Sequence, residues 1–219
     1  FSPGGSRAFR VTGYHPRGGN VALCTDVIAG FNAPVDQATV STTNVTVTKQ
    51  DGTTVTGSFT PSTNGFEYAL PDFAPSSHYT VAIQNVRDLS AEPRTVERKT
   101  WTFDTGTQTD NDPPRVVQPV SPSGDSVCRR KPIQVNFTEV IKPSTLTVEG
   151  PNASIQLFDL GPKPGVEPGT RVALGGVRMA PSLKGFTVYP QGSLPASHTF
   201  KVTLAGTIAD ACNNPMGAP

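Results

Sequence analysis

The feature that most constrains this chain is an internal repeat. Two stretches share a phenylalanine, a short polar turn, a Thr-Val or Thr-Leu pair and a further Thr-Val pair, and they begin at Phe31 and Phe137. A second pair of stretches shares a proline, two small residues, a histidine and an aromatic residue, and these begin at Pro75 and Pro195. Self-similarity of this kind indicates duplication of a structural unit. The 219 residues therefore predict two copies of one domain of roughly 100 residues each.

The distance between the copies grows along the chain and locates an insertion. It is 106 residues from Phe31 to Phe137 and 120 residues from Pro75 to Pro195. The stretch 161–169, which is rich in proline and glycine, lies between these points in the second copy and is the predicted insertion. We predict domain boundaries of 1–108 and 109–219.

Apolar residues alternate with polar ones in short segments of both copies. Ile133, Val135 and Phe137 share one face of a predicted strand, as do Val81 and Ile83 in the first copy. The 21 glycines and 22 prolines are spread along the chain, as turns between many short strands require. This pattern predicts an all-β fold of two antiparallel β-sandwiches.

The order of the motifs resembles the bacterial Ig-like domains of S-layer and other cell-surface proteins. The pattern F-x-x-P-V-D-x-x-T-V starts at Phe31, S-H-Y-x-V starts at Ser77, and T-W-T-F-D-T-G starts at Thr100. The resemblance covers nearly the whole chain. It implies two tandem Ig-like antiparallel β-sandwich domains, neighbouring Ig-like domains as partners, and an extracellular or cell-surface location.

The second copy departs from this pattern at its end. It stops at Pro219 before any match to the stretch 100–106, so domain 2 is expected to lack its last strand. A sandwich without that strand has an unpaired edge and an apolar groove. Either the polypeptide continues, or another chain supplies a strand to domain 2 by β-addition.

The three cysteines predict one disulfide and one further thiol. Cys24 and Cys128 precede equivalent strands of the two copies, and Cys212 follows the sixth strand of the second copy. In a sandwich, Cys128 and Cys212 would lie at opposite poles, whereas a disulfide needs Cα atoms roughly 4.4–6.8 Å apart. We therefore predict Cys24–Cys212 between facing poles of consecutive domains, with Cys128–Cys212 or free thiols as alternatives. The wide spacing does not fit a zinc site.

The linker between the copies is a candidate calcium site. Asp110, Asn111 and Asp112 offer oxygen ligands, which calcium prefers, but they are fewer than the six to eight that it needs. The alternative interpretation is a solvated turn before the Pro-Pro pair at 113–114. No other cofactor is predicted.

The histidines do not indicate an enzyme. His78 and His198 occupy equivalent places in the repeat, beside the corner where an aromatic residue closes the sandwich, which favours a structural role. His15 has no evident partner in the sequence. No motif of a serine hydrolase, zinc protease or nucleotide-binding loop occurs.

Composition excludes two further classes of partner. The formal net charge is +1 with 16% charged residues, and no basic stripe for nucleic acid occurs. No apolar run reaches the length of ~18 residues that a membrane span needs. The chain starts at Phe1 without methionine or a signal peptide, and we interpret it as a mature or excised piece of a longer protein.

These observations predict a non-catalytic structural or adhesive repeat segment of a bacterial extracellular or cell-surface protein. Its role would be that of a spacer, stalk or filament subunit, completed in the last case by strand donation. The alternative is a ligand- or polysaccharide-binding accessory module of a larger secreted enzyme. Such a module needs exposed aromatic residues, whereas the single tryptophan, Trp101, is expected in the core.

Overall fold

The computed structural model of the chain describes residues 8–217, so the predictions made for Phe1 and Pro219 lie outside the described residues. The chain divides into two compact units, Phe1–Asn111 and Asp112–Pro219, referred to below as domain 1 and domain 2. In the described part of the chain, sixteen short strands and two single-turn 3-10 helices make up the regular structure. The predicted all-β fold is confirmed.

Domain 1 begins with an antiparallel sheet of four strands. Its strands are β1 (Val11–His15), β3 (Val27–Phe31), β6 (Ser58–Ser62) and β7 (Gly65–Ala69), in the spatial order β1-β3-β7-β6. Phenylalanine rings pack against one another on the side of this sheet that faces the core. The rings of Phe9 and Phe31 are stacked, with their centroids 5.1 Å apart.

The second sheet of domain 1 has five strands. They are β2 (Gly18–Val21), β4 (Val45–Lys49), β5 (Thr54–Val55), β8 (His78–Ile83) and β9 (Lys99–Thr105), in the spatial order β2-β9-β8-β4-β5. All pairs are antiparallel except β2 with β9, which run parallel. The last strand of the domain, β9, therefore lies between β2 and β8.

Alternation along β9 shows why this strand closes the core. Trp101 and Phe103 point inward and are 7% and 1% exposed, whereas Thr100, Thr102 and Asp104 between them face solvent. The predicted core position of Trp101 is confirmed. Its indole N–H donates to the carbonyl of Pro16 at 2.9 Å, so the buried polar atom is satisfied.

Domain 2 repeats the first sheet strand for strand. It contains β10 (Val116–Ser121), β11 (Ile133–Phe137), β14 (Arg178–Met179) and β15 (Gly185–Val188), in the order β10-β11-β15-β14. Glycines recur at one place in both copies, Gly65 on β7 and Gly185 on β15. A Cβ atom there would collide with the carbonyl oxygen of Ala29 or of Val135 on the neighbouring strand.

The second sheet of domain 2 is smaller than its counterpart. It holds β12 (Ile155–Pro162), β13 (Thr170–Val172) and β16 (His198–Leu204), in the order β13-β12-β16. The predicted insertion, 161–169, lies where β12 turns into β13, and this hairpin is the counterpart of the shorter β4–β5 hairpin.

Strand register identifies equivalent residues in β8 and β16. Val81 pairs with Val47 of β4, and Val202 pairs with Leu157 of β12. Val202 is therefore the counterpart of Val81. The same register makes these pairs of residues equivalent: Phe200 and Tyr79, Leu204 and Ile83.

These equivalent residues differ in burial. Tyr79, Val81 and Ile83 are 2%, 0% and 0% exposed, whereas their three counterparts on β16 are only half-buried. β8 has a strand on each side, β4 and β9, but within residues 8–217 β16 pairs with β12 alone. The described part of domain 2 thus contains no counterpart of β9, as the sequence predicts.

Because Val81 is fully buried and Val202 is only half-buried, replacing each by alanine should lower the free energy of unfolding of its domain by different amounts. Val81→Ala should lower the free energy of unfolding of domain 1 by about 2–3 kcal/mol, since it removes two fully buried methyl groups and leaves a cavity. Val202→Ala should cost domain 2 less than about half of that amount, because its side chain is partly hydrated in the native state. Chemical denaturation followed by residue-specific NMR signals separates the two domains. Equal costs would contradict the difference in burial.

Candidate functional site

Each equivalent histidine is paired with a carboxylate on a neighbouring strand. His78 Nδ1 lies 2.7 Å from Asp104 Oδ1 on β9, and His198 Nδ1 lies 2.8 Å from Asp159 Oδ1 on β12. The two histidines thus have different partners, and the strand that carries Asp104 has no counterpart in the described part of domain 2. The His78 pair is well exposed and contributes little to stability.

The ionised form of Asp159 is favoured by its surroundings. Burial raises the pKa of this carboxyl, but the backbone N–H of Gly161 and the ring of His198 together outweigh burial, so the pKa lies below the ordinary value of 3.8. A carboxylate held in the charged state by two donors is a structural acceptor. This geometry supports the structural role expected for the histidines.

The corner beside His78 has the hydrogen bond that a corner tyrosine needs. The hydroxyl oxygen of buried Tyr79 accepts from the backbone N–H of Ala74 at 3.0 Å. Phe200 takes this place in domain 2 and has no hydroxyl, so that corner depends on packing alone. Tyr79 is buried and closes this corner in domain 1, whereas Phe200 is only half-buried.

A buried aspartate organises the loop after the central strand in domain 1. Asp88 is 1% exposed and accepts from the backbone N–H groups of Ser90 and Arg94, from the Ser90 hydroxyl at 2.7 Å and from Arg94 Nε at 2.6 Å. Burial raises the pKa of Asp88, but these donors outweigh burial and bring it from 3.8 to about 2. A buried charge with this many donors holds a loop in one conformation.

The equivalent loop of domain 2 uses the same device. Asp210 is 2% exposed and accepts from the backbone N–H groups of Cys212 and Asn214 and from the side-chain amide of Asn214 at 2.9 Å. Lys142, also buried, donates to Asn213 in this loop at 2.7 Å. Asp88 and Asp210 occupy matching places in the repeat, whereas the place of Lys142 in the sequence gives no signal of its role.

The cysteines differ in state. Cys24 and Cys212 are each disulfide-bonded, whereas Cys128 is a free and exposed thiol. Cys24 also accepts, through Sγ, from the backbone N–H of Asp110 at 3.3 Å. The alternative pairing of Cys128 with Cys212 is not found in the structure. Cys128 lies near the His198 end of β16 and Cys212 beyond its Leu204 end, and a strand of seven residues spans about 20 Å, too far for a disulfide.

The candidate calcium ligands lie where the two units meet in sequence. Asp110 is half-buried, and Asn111 and Asp112 are exposed. The unit boundary falls between Asn111 and Asp112. Calcium binding at these three residues stays a prediction.

A groove of about 500 Å³ runs beside β16 in domain 2. One wall is β16 itself, and the other is the segment that leads from β10 to β11. Its floor is apolar, and charged side chains stand at its rim. The floor residues are Ile133, Leu157, Phe200 and Val202, and the charged rim residues include Asp125, Arg129, Lys131 and Lys163.

Sequence reasoning predicted the open edge of β16 but missed the second wall of the groove. The signal was present, because Gly18–Val21 reads Gly-Gly-Asn-Val and 124–127 reads Gly-Asp-Ser-Val at the same 106-residue offset as the phenylalanines. In domain 1 the stretch forms β2, whereas in domain 2 its counterpart forms no strand.

The chain contains two Ig-like β-sandwiches whose polar side chains hold loops and corners in place. This arrangement is typical of proteins built from repeated domains. The chain belongs to the bacterial Ig-like domain family, whose model matches residues 5–105 and again 110–219. No described helix is both long and apolar enough to cross a membrane. A search of curated proteins gives no match.

Solved structures that are similar to this chain include a bacterial S-layer protein and titin. The N-terminal part of the bacterial S-layer protein SbsC aligns with 91% of this chain and 45% of its own, at 13% identity and a TM-score of 0.38. The titin domains Z1Z2 in complex with telethonin align over 91% of this chain and 95% of theirs, at 11% identity and a TM-score of 0.27. The chain thus spans less than half the length of the S-layer structure. Because these TM-scores lie below 0.5, the family assignment rests on the sequence match.

The Asp88 loop generates a pH-dependent prediction. The folded pKa of about 2 lies below the ordinary 3.8, so ionised Asp88 stabilises domain 1 above pH 3.8, and this contribution is lost as the pH falls towards 2. Asp88→Asn should therefore cost domain 1 about 2 kcal/mol at neutral pH, and the difference from the parent should shrink through that window. Asp72→Asn, the same change at an exposed position, is the control. A constant difference across the pH range, measured by denaturation, would refute this role.

Proposed function

We propose that this chain is a non-catalytic structural repeat segment of a bacterial cell-surface or extracellular protein, acting as a spacer or stalk that carries tension. Membership of the bacterial Ig-like family supports a surface repeat. The observation that carries the tensile role is the parallel pairing of β2 with β9 in domain 1.

The parallel pair joins the two ends of domain 1. β2 begins eighteen residues into the chain, β9 is the last strand of the domain, and Gly106 donates its N–H to the carbonyl of Val21 at 2.9 Å. When no disulfide bypasses the domain, tension applied at its two ends pulls these strands in opposite directions along their length. The bonds between them are then loaded together rather than one at a time, which is the geometry that resists extension.

Among the described residues, the histidines and buried aspartates, which are types that enzymes use for catalysis, make structural contacts. His78 and His198 contact carboxylates across strand pairs, and Asp88 and Asp210 hold loops. These roles support a non-catalytic protein.

We further propose that Cys24 and Cys212 are bonded to each other. The bonded state of Cys24 and of Cys212 and the free state of Cys128 support this pairing. A bond between them would bypass the 187 residues that separate them in sequence. Under tension, the oxidised segment would then hold its length even if a domain unfolded.

Single-molecule stretching of the chain from its ends tests both parts of the proposal. The oxidised chain should show almost no unfolding extension, because about 650 Å of contour length lies behind the disulfide. After reduction, domain 1 should unfold in one step and at a higher force than domain 2, since the described part of domain 2 has no pair equivalent to β2–β9.

The cysteine variants provide matched controls for this measurement. Cys24→Ser with Cys212→Ser should behave as the reduced chain does under all conditions, whereas Cys128→Ser should behave as the parent does. Full extension of the oxidised parent would overturn the pairing. A reduced domain 1 that yields at lower force than domain 2 would overturn the tensile role.

The alternative, a polysaccharide-binding accessory module, finds little support in the surface. Trp101 is buried, and the ring of Tyr14 is covered by Arg17 and Lys99. Tyr189, 49% exposed, is the one large aromatic residue found strongly exposed among residues 8–217. We expect no binding on a glycan array, and a signal that is lost on Tyr189→Ala would instead favour the accessory module.

A further inference from the structure

We propose that Arg17 and Lys99, which converge on the ring of Tyr14, form a binding site for a phosphate group in domain 1. Free phosphate and a phosphodiester of a surface polymer share this chemistry, and the test below distinguishes the two sources. The inference goes beyond the tensile role proposed above and does not depend on it.

Two cationic side chains contact one aromatic ring. The guanidinium carbon of Arg17 lies 3.9 Å from the centroid of the Tyr14 ring, and Lys99 Nζ lies 4.4 Å from the same centroid. Because both distances end at one point, the two charges are no more than 8.3 Å apart. The aromatic ring attracts each cation and so holds the pair together despite their mutual repulsion.

The surroundings of the ring fix this arrangement. Tyr14 lies on β1 and Lys99 is the first residue of β9, so each sheet of domain 1 supplies one member. The ring of Tyr14 packs against Trp101, with the ring centroids 4.7 Å apart. Arg17 Nε donates to the carbonyl of Tyr14 at 2.7 Å, which orients the guanidinium and leaves its terminal N–H groups for a ligand.

Among the described residues, no carboxylate neutralises either cation. Lys49 of the same domain is paired with Asp51, whereas neither Arg17 nor Lys99 makes an ion pair in the part of the chain that the structure describes. Two like charges at this separation are only partly screened, since the Debye length at physiological salt is about 8 Å. An anion that contacts both cations therefore relieves their repulsion.

The two donors together favour a phosphate group over a carboxylate. Arg17 offers a planar fork of N–H donors, and Lys99 offers a compact charge on a separate side chain. The oxygens of a carboxylate lie in one plane and are matched by the arginine fork alone. The oxygens of a phosphate point in tetrahedral directions, so one group can accept from both side chains.

The approach to the cations is open. A Cβ atom on Gly18 or Gly19, which follow Arg17 in the chain, would meet no atom within 4 Å beyond its chain neighbours. Arg17 itself is exposed, and Lys99 is half-buried. The site therefore has room for a phosphate that belongs to a longer chain as well as for the free ion.

The same turn in domain 2 lacks these features. At the 106-residue offset of the repeat, Val120 stands in place of the tyrosine and Ser123 in place of the arginine. Asp125 adds a carboxylate two residues later, which would repel a phosphate. The turn of domain 2 is therefore an internal control for the site.

Titration of the whole chain with phosphate, followed by NMR signals of individual N–H groups, tests the site. Inorganic phosphate and a poly(glycerol phosphate) chain are the two probes, and sodium chloride keeps the ionic strength constant. Both probes should shift the Nε–H signal of Arg17 and the amide signals of Gly18 and Gly19 to saturation. The polymer should reach half-saturation at the lower phosphate concentration, because neighbouring phosphates raise the effective concentration at the site. Saturation with inorganic phosphate alone would assign the source to the free ion and would still support the site.

Variants that remove one charge show whether both cations bind the ligand. Arg17→Gln and Lys99→Gln should each raise the half-saturating phosphate concentration about tenfold, since each removes one charge-assisted hydrogen bond. Arg87→Gln, the same change at an exposed arginine elsewhere in domain 1, is the matched control and should leave that concentration unchanged. Shifts that grow without saturation, and equally in the parent and both variants, would overturn the proposal. Shifts at Gly124 in the turn of domain 2 as large as those at Gly18 would also overturn it.

Discussion

Each domain depends on backbone pairing at both edges of one strand. In domain 1 this strand is β8, which carries the corner residue Tyr79. In domain 1, β8 has β4 on one side and β9 on the other, and its inward residues Tyr79, Val81 and Ile83 are sealed from water. A strand in a sheet can bury its apolar face only if its neighbours extend the sheet over the facing layer. Within residues 8–217, β16 pairs with a strand on one side only, and its apolar residues are only half-buried. The groove beside β16 follows from this difference.

The buried aspartates solve a second problem that a sandwich poses. The chain must leave the central strand, cross to the far side and return, and a loop of this kind exposes backbone N–H groups that need acceptors. Asp88 and Asp210 each supply carboxylate oxygens to two such groups at equivalent places. Their remaining donors differ, an arginine and a serine in one loop and an asparagine in the other. The duplicated feature is thus the carboxylate, while its partners have diverged.

Much of the fold could be predicted from the sequence because its signals are local or repeated. Alternation marked β8 and β11, and the repeat located the insertion in the β12–β13 hairpin. The partner of His198 could not be predicted in the same way, since Asp159 is 39 residues away and has lysine as its counterpart in domain 1 by register. The free state of Cys128 also depends on distances across a domain. The second wall of the groove was visible only as a four-residue echo, too short to recognise before the strand that it borders is known.

The position of β9 has a consequence for how domain 1 is made. Within domain 1, β2 is synthesised early, but it pairs with β9, the last strand of the domain, about 80 residues later in the chain. Contacts of such high sequence separation form slowly. During synthesis, β8 and β2 must both wait with apolar residues uncovered until Thr105 has emerged from the exit tunnel. The speed of translation through these residues therefore sets how long the nascent domain is open to chaperones and to aggregation.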